Sequence, residues 1–276
     1  MTQPTLPLND GSQIPQLGFG TWQTPAETAA AAVSAALAAG YRLIDTASIY
    51  GNEMGVGEGI HVSDVPREEV FVTTKLWNSH QGYDETLRAC DESLRRLRLD
   101  YVDLYLIHWP MPRLDRYLES WRALVRLKNE GRTRSIGVSN FQIPHLRRLL
   151  DETGVTPSIN QIELHPYFQQ RSLREFHAQH GIVTESWSPL GQGGALLRDG
   201  QILRIAQKHQ KTAAQVVLRW HLDCGLATIP KSVNPARIGE NFQIFGFRLD
   251  AGDIAVLNGL DNPKGRIGPD PDTANF

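Results

Sequence analysis

Cysteine is nearly absent: Cys90 and Cys224 are the only two in 276 residues. Both sit inside helical patterns, and two thiols in a chain of this size do not make the disulfide framework of a secreted scaffold. No apolar run approaches the roughly 18 residues of a membrane span. The opening stretch, MTQPTLPLND, has neither a basic start nor an apolar run. No signal peptide is expected there, and a cytoplasmic location is. Charge of one sign is missing too. With 28 Lys and Arg against 30 Asp and Glu, the net charge of −2 gives no reason to expect a nucleic-acid partner or an anionic membrane. A dinucleotide fingerprint is also lacking. GFGTWQ at 18–23 has no third glycine and runs into Thr24-Pro25, and Gly55-x-Gly57-x-Gly59 follows no strand. What is present is apolar residue enough, 41% against 21% charged, to bury a sizeable core, so disorder is excluded.

Short β runs alternate with amphipathic helical stretches along the chain. The runs start near residues 17, 42, 70, 102, 135, 159, 182 and 226, and each gap is long enough for one right-handed crossover. Eight βα units in one chain of this length predict an α/β protein with a closed (β/α)8 TIM barrel over residues 1–276, a single domain without linkers. Three segments fall outside the repeat. Asn-Asp-Gly within 6–13 signals a hairpin, expected as a lid on the barrel floor. Residues 188–211 are extra material after the seventh strand. The tail from 262 to 276, rich in Pro, Gly and Asp, reads as a surface loop.

In such a barrel the chemistry sits at the carboxyl ends of the strands. Strand two ends in Asp45 with Tyr50 just beyond, strand three in Lys75, and strand four in His108. Singly, each has an ordinary reading: a helix cap, a rim charge, a satisfied core histidine. Together, an acid, a phenol, an amine and an imidazole at one mouth are costly to bury unless they serve a function. They suggest proton transfer to a carbonyl oxygen. A free tyrosine is a poor acid at neutral pH. Lys75 beside it is expected to lower its pKa, with Asp45 holding Lys75 charged and His108 orienting the carbonyl. A hydride donor is then the one missing part, and a nicotinamide cofactor supplies it.

The chain resembles the aldo-keto reductases. The likeness rests on GFGTW at 18–22, RLIDTASIYGNE at 42–53, TTKLWN at 73–78 and DLYLIHWP at 103–110. It continues through RSIGVSNF at 134–141, NQIELHP at 160–166, ESWSPLGQG at 185–193 and IPKSVNPARIGEN at 229–241. Within the family it is most similar to the bacterial 2,5-diketo-D-gluconate reductases. The resemblance implies a catalytic tetrad of Asp45, Tyr50, Lys75 and His108, and NADPH bound without a Rossmann motif. It assigns Ser139, Asn140 and Gln161 to the carboxamide, and Trp187 to one face of the nicotinamide, where many relatives have tyrosine. Ser188, Leu190, Gly191 and Gln192 follow the pyrophosphate. Lys231, Ser232 and Arg237 clamp the 2′-phosphate, and Glu240 and Asn241 meet the adenine. Trp22, Trp77, Asn78 and Trp109 line the substrate mouth. No metal is implied.

Independently of the resemblance, Lys231, Ser232 and Arg237 cluster after strand eight, where barrels often bind phosphate. Arg and Lys suit a dianionic phosphate. The loop at 110–116 and the tail, where the resemblance implies that specificity is set, are both short, so a short-rimmed aromatic pocket admitting small aldehydes, α-keto compounds and keto sugars is expected. The expected enzyme is a monomer acting on a small-molecule carbonyl substrate. Two other readings compete with it: a Schiff-base aldolase using Lys75, and a non-catalytic NADPH-binding barrel.

Overall fold

Eight parallel strands form one sheet in the computed structural model, which describes residues 3–276. They are β3 (Phe19–Gly20), β4 (Leu43–Asp45), β5 (Phe71–Leu76), β6 (Val102–Ile107), β7 (Thr133–Ser139), β8 (Ile159–Glu163), β9 (Val183–Trp187) and β10 (Ala227–Thr228). Each pairs with its neighbour in chain order. A parallel bridge from Leu17 to Thr228 joins the last strand to the first and closes the barrel. The first and last strands are shorter than the sequence suggests, 17–22 and 226–231. Pro230 has no N–H to donate, which truncates the ladder of β10, although its carbonyl still accepts from Gly20.

Two short strands precede the barrel, β1 (Thr5–Pro7) and β2 (Gln13–Pro15), paired antiparallel as the Asn-Asp-Gly turn predicts. Leu8 and Ile14 of this hairpin are buried against Leu43, Phe71, Leu104, Leu106, Ile159 and Ile229. They plug the amino-terminal end of the barrel with apolar surface, as expected of a floor. Asp10 pins the hairpin, accepting from Lys128 Nζ at 2.7 Å and from Ser158 Oγ at 3.1 Å. With the lower interior filled by apolar side chains, polar groups that point inward collect at the other end.

The helices α1 (Ala26–Ala39), α2 (Glu53–His61), α3 (Tyr83–Leu97), α4 (Tyr117–Asn129), α5 (Ile143–Thr153), α6 (Arg171–Gln179) and α8 (Ala213–Asp223) coat the outside. Their apolar faces bury one continuous outer core with residues such as Val33, Leu94, Leu124, Leu149 and Val217. Helix α7 (Gly200–His209) occupies the extra segment after β9, and α9 (Pro235–Phe242) and α10 (Ala251–Asn258) follow the last strand. Among the described residues no helix is long and apolar enough to cross a membrane. Residues 262–276 form no regular element, yet they do not lie free on the surface. The backbone N–H groups of Ile267 and Gly268 donate to Glu163, and Ala274 is buried.

Candidate active site

Asp45 ends β4, and Lys75 lies on β5 two residues beyond Thr73, the register partner of Asp45. Both side chains are buried. Lys75 Nζ donates to Asp45 Oδ1 at 2.6 Å, a charge-assisted distance, and to the carbonyl of Thr46 at 2.8 Å. Tyr50 closes a short 3-10 turn, Ser48–Tyr50, just past the strand end. Its half-buried ring has the Lys75 ammonium 5.2 Å from its centroid. His108 follows β6, with its ring 5.8 Å from that of Tyr50 and 5.3 Å from that of Trp77. The four residues expected at one mouth are thus brought together. His108 Nδ1 is buried without a hydrogen-bond partner, so Nε2 is the ring nitrogen left toward the mouth.

Burial dominates the titration of this cluster. It pulls the His108 pKa far below its ordinary value, and the Lys75 charge lowers it further, so the imidazole is neutral at neutral pH. Burial also works against charge on Lys75, but Asp45 and Tyr50 outweigh it and hold the ammonium above its usual value. Asp45 is raised by burial, with Lys75 and Gln161 pulling back. The expectation that Lys75 brings Tyr50 below its ordinary pKa is not met. Burial raises the phenol, and the ammonium offsets only part of that. The result is a phenol that keeps its proton beside a cation able to stabilise the phenolate once the proton leaves.

Around these four lies a polar network. Gln161 Nε2 donates to Asp45 Oδ2 at 2.8 Å and to Glu185 Oε2 at 2.7 Å. Both amide hydrogens are spent, leaving its Oε1 as an acceptor. Asn140 has left-handed backbone geometry at φ 64°. Its Nδ2 donates to the carbonyl of His108 at 3.0 Å, and its Oδ1 accepts from Trp187 Nε1 at 2.8 Å. Ser139 Oγ donates to the carbonyl of Gln161 at 2.8 Å. Ser139, Asn140, Gln161 and Trp187 therefore form one hydrogen-bonded arc beside the tetrad.

Beyond Trp187, the loop carrying Ser188, Leu190, Gly191 and Gln192 turns sharply, with positive φ at Ser188, Gly191, Gln192 and Gly193. Lys231 and Arg237 are exposed near the amino terminus of α9, which Asn234 caps. Lys231 Nζ reaches the carbonyl of Gln23 at 3.2 Å, and Ser232 Oγ accepts from Asn234 N at 3.1 Å. Neither cation has an acidic partner among the described residues. Asn241 is buried, and Glu240 is turned to Thr212, accepting its hydroxyl at 2.8 Å.

At the mouth, Trp77 stacks on Phe276 at 5.9 Å, and Trp109 meets the same ring edge-on at 5.2 Å. Asn78 Nδ2 donates to the Phe276 carbonyl at 3.4 Å. Trp22 is exposed. The carboxyl-terminal residue is therefore held against Trp77, Trp109 and Asn78.

The Aldo/keto reductase family model matches residues 16–262. The chain belongs to the aldo-keto reductase family. It is 56% identical to an aldo-keto reductase of Mycolicibacterium smegmatis, over 99% of this chain and 98% of that one. It is 55% identical to the methylglyoxal reductase DkgA of Yersinia pestis, over 98% of this chain and 97% of that one. The crystal structure of a Gox0644 mutant in complex with NADPH superposes with a TM-score of 0.96. That pair is 55% identical, with both chains fully covered. The (β/α)8 barrel is thus the aldo-keto reductase fold.

Two residues of this aldo-keto reductase site were not singled out by sequence reasoning. Glu185 is fully buried beneath Lys75, its pKa pushed up to about 8 by burial and by Asp45. It stands two residues before Trp187 on β9, so strand alternation puts both on the inward face, and that was the available signal. Phe276 carried no local signal at all.

Proposed function

We propose that this aldo-keto reductase reduces small aldehydes, α-keto compounds and keto sugars with NADPH, with Tyr50 as the proton donor. We further propose that it acts as a monomeric cytoplasmic enzyme, one barrel domain over residues 1–276. The observation that carries the reading is the buried Lys75–Asp45 pair with its ammonium against the Tyr50 ring.

The residues fit a bound NADPH. A sharply turned loop follows Trp187, two unpaired cations stand at a capped helix start, and Gln161 keeps a free amide oxygen for a carboxamide. When bound, the cofactor supplies a hydride to the carbonyl carbon. His108 Nε2–H donates to the carbonyl oxygen and orients it, which a neutral imidazole can do. As negative charge develops on that oxygen, the Tyr50 proton moves to it. Lys75 stabilises the phenolate left behind, and Asp45 keeps Lys75 charged and in place. Trp187 offers one flat face, so the opposite face of a stacked nicotinamide stays open to substrate. Lys231, Ser232 and Arg237 would hold the 2′-phosphate, and Asn241 would meet the adenine together with Glu240, whose other carboxylate oxygen is held by Thr212.

Trp77, Asn78, Trp109 and Phe276 pack together at the mouth, and our reading adds Trp22 to them as the lining of an aromatic substrate pocket with one polar group. It suits a short substrate with adjacent carbonyls, the class to which methylglyoxal belongs. The aldolase reading is disfavoured, since the Lys75 amine is held as an ammonium by Asp45 and Thr46 and is not a free nucleophile. The test is a panel of short aldehydes, 2-oxoaldehydes and keto sugars followed by NADPH absorbance loss, with NADH in parallel. Turnover of 2-oxoaldehydes with NADPH supports the proposal, and no turnover of any carbonyl refutes it.

A further inference from the structure

Glu163 and Trp187 are register partners on β8 and β9, so their side chains leave the sheet side by side. Glu163 is buried, and its carboxylate is occupied by the tail. Oε1 accepts the backbone N–H of Ile267 at 2.6 Å, and Oε2 that of Gly268 at 2.8 Å. Oε1 also lies 3.1 Å from His165 Nε2. The tail is thereby drawn across the edge of the indole. A Cβ on Gly268 would stand 2.6 Å from Trp187 Cη2 and 3.0 Å from Glu163 Oε2. The first is closer than real side chains pack. The obstacle is space alone, because Gly268 is not among the positive-φ positions. On its nitrogen-bearing edge the same indole donates to Asn140 Oδ1.

We propose that Glu163 and Gly268 form a latch that fixes the pose of the Trp187 indole and couples the carboxyl-terminal segment to cofactor affinity. The inference rests on the reading of Trp187 as the nicotinamide platform. The full indole fits here because the residue crossing its far ring is a glycine. The segment that ends on Trp77 and Trp109 at the substrate mouth is the same one that buttresses the cofactor face. Glu163 and Gly268 are positioning residues, since neither needs to touch NADPH or substrate.

The test is a double-mutant cycle on NADPH affinity with Gly268→Ala, Trp187→Phe and the pair. Phenylalanine keeps a flat face but lacks the ring atoms that Gly268 abuts. Gly268→Ala should weaken NADPH by about tenfold in the parent protein and by less than about threefold in the Trp187→Phe background. A merely structural role for Gly268 would cost the same in both backgrounds, and that result overturns the latch. The pose itself is read without cofactor, by fluorine NMR of protein labelled with fluorotryptophan. The Trp187 resonance, assigned by its loss in Trp187→Phe, should shift or broaden in Gly268→Ala. It should do so too in the milder Glu163→Gln, which removes one acceptor and adds no volume. An unmoved resonance in both variants overturns the proposal. A moved resonance with unchanged NADPH affinity refutes the platform reading instead.

Discussion

Replacing Lys75 by methionine removes a charge and keeps most of the stem, so packing changes little. The electrostatic change is large. Lys75 is fully buried and Asp45 nearly so, and their 2.6 Å contact is lost together with the 2.8 Å bond to the Thr46 carbonyl. Breaking a buried pair by removing one partner costs about 3–5 kcal/mol, because the remaining charge is uncompensated. Asp45 keeps only Gln161 as a partner, which holds the expected loss near the lower end. The sign with pH follows from burial. Asp45 is already raised in the folded protein, and without Lys75 it rises further. A carboxylate raised on folding destabilises above its folded value. The gap to the parent therefore closes as pH falls from the variant's folded value to the parent's lower one, below which Asp45 is protonated in both. Urea melts of parent and Lys75→Met at several pH values measure this gap. Adding Asp45→Asn to Lys75→Met should recover stability at neutral pH and leave activity abolished. A gap that stays constant with pH, or a double variant no more stable than Lys75→Met, would refute the assignment of Asp45 as the buried counter-ion.

Arg237→Ala should weaken NADPH by about tenfold, one charge-assisted contact, and leave NADH little changed. Fluorescence titrations with both cofactors decide it, and equal weakening of both would show that Arg237 only supports its loop. Glu185 has a folded pKa near 8 against an ordinary 4.5, so it destabilises the fold as pH rises through that window. Glu185→Gln should then be more stable than the parent at pH 8 but not at pH 5, with about 1.4 kcal/mol as the steepest change per pH unit. An equal difference at both pH values in urea melts would mean that the acid is not protonated.

The sequence makes the barrel readable because each βα unit is local. Strand alternation, capped helices and turn residues all lie within some thirty residues of one another. The mouth cluster is readable for a related reason: strand ends are where a barrel holds its polar groups, so Asp45, Lys75 and His108 are found by finding the strands. What escaped depends on distance in the chain or depth in the fold. Helices α9 and α10 are each eight residues long, near the shortest that periodicity can reveal. The tail does read as irregular, but its N–H groups are satisfied by Glu163, about a hundred residues earlier, and no local pattern announces such a partner. The pKa of Tyr50 is not legible in the sequence, because proximity to Lys75 follows from the strand ends whereas the burial that outweighs it does not.

The central claim is that the phenol of Tyr50 delivers the proton. Tyr50→Phe keeps the ring beside Lys75 and His108 and removes one oxygen. Single-turnover reduction of a short 2-oxoaldehyde, followed by NADPH absorbance with the cofactor pre-bound, separates chemistry from binding. The chemical step should fall by about 10²–10⁴-fold, with NADPH affinity nearly unchanged. A rate within threefold of the parent would contradict it and move the proton donor to His108.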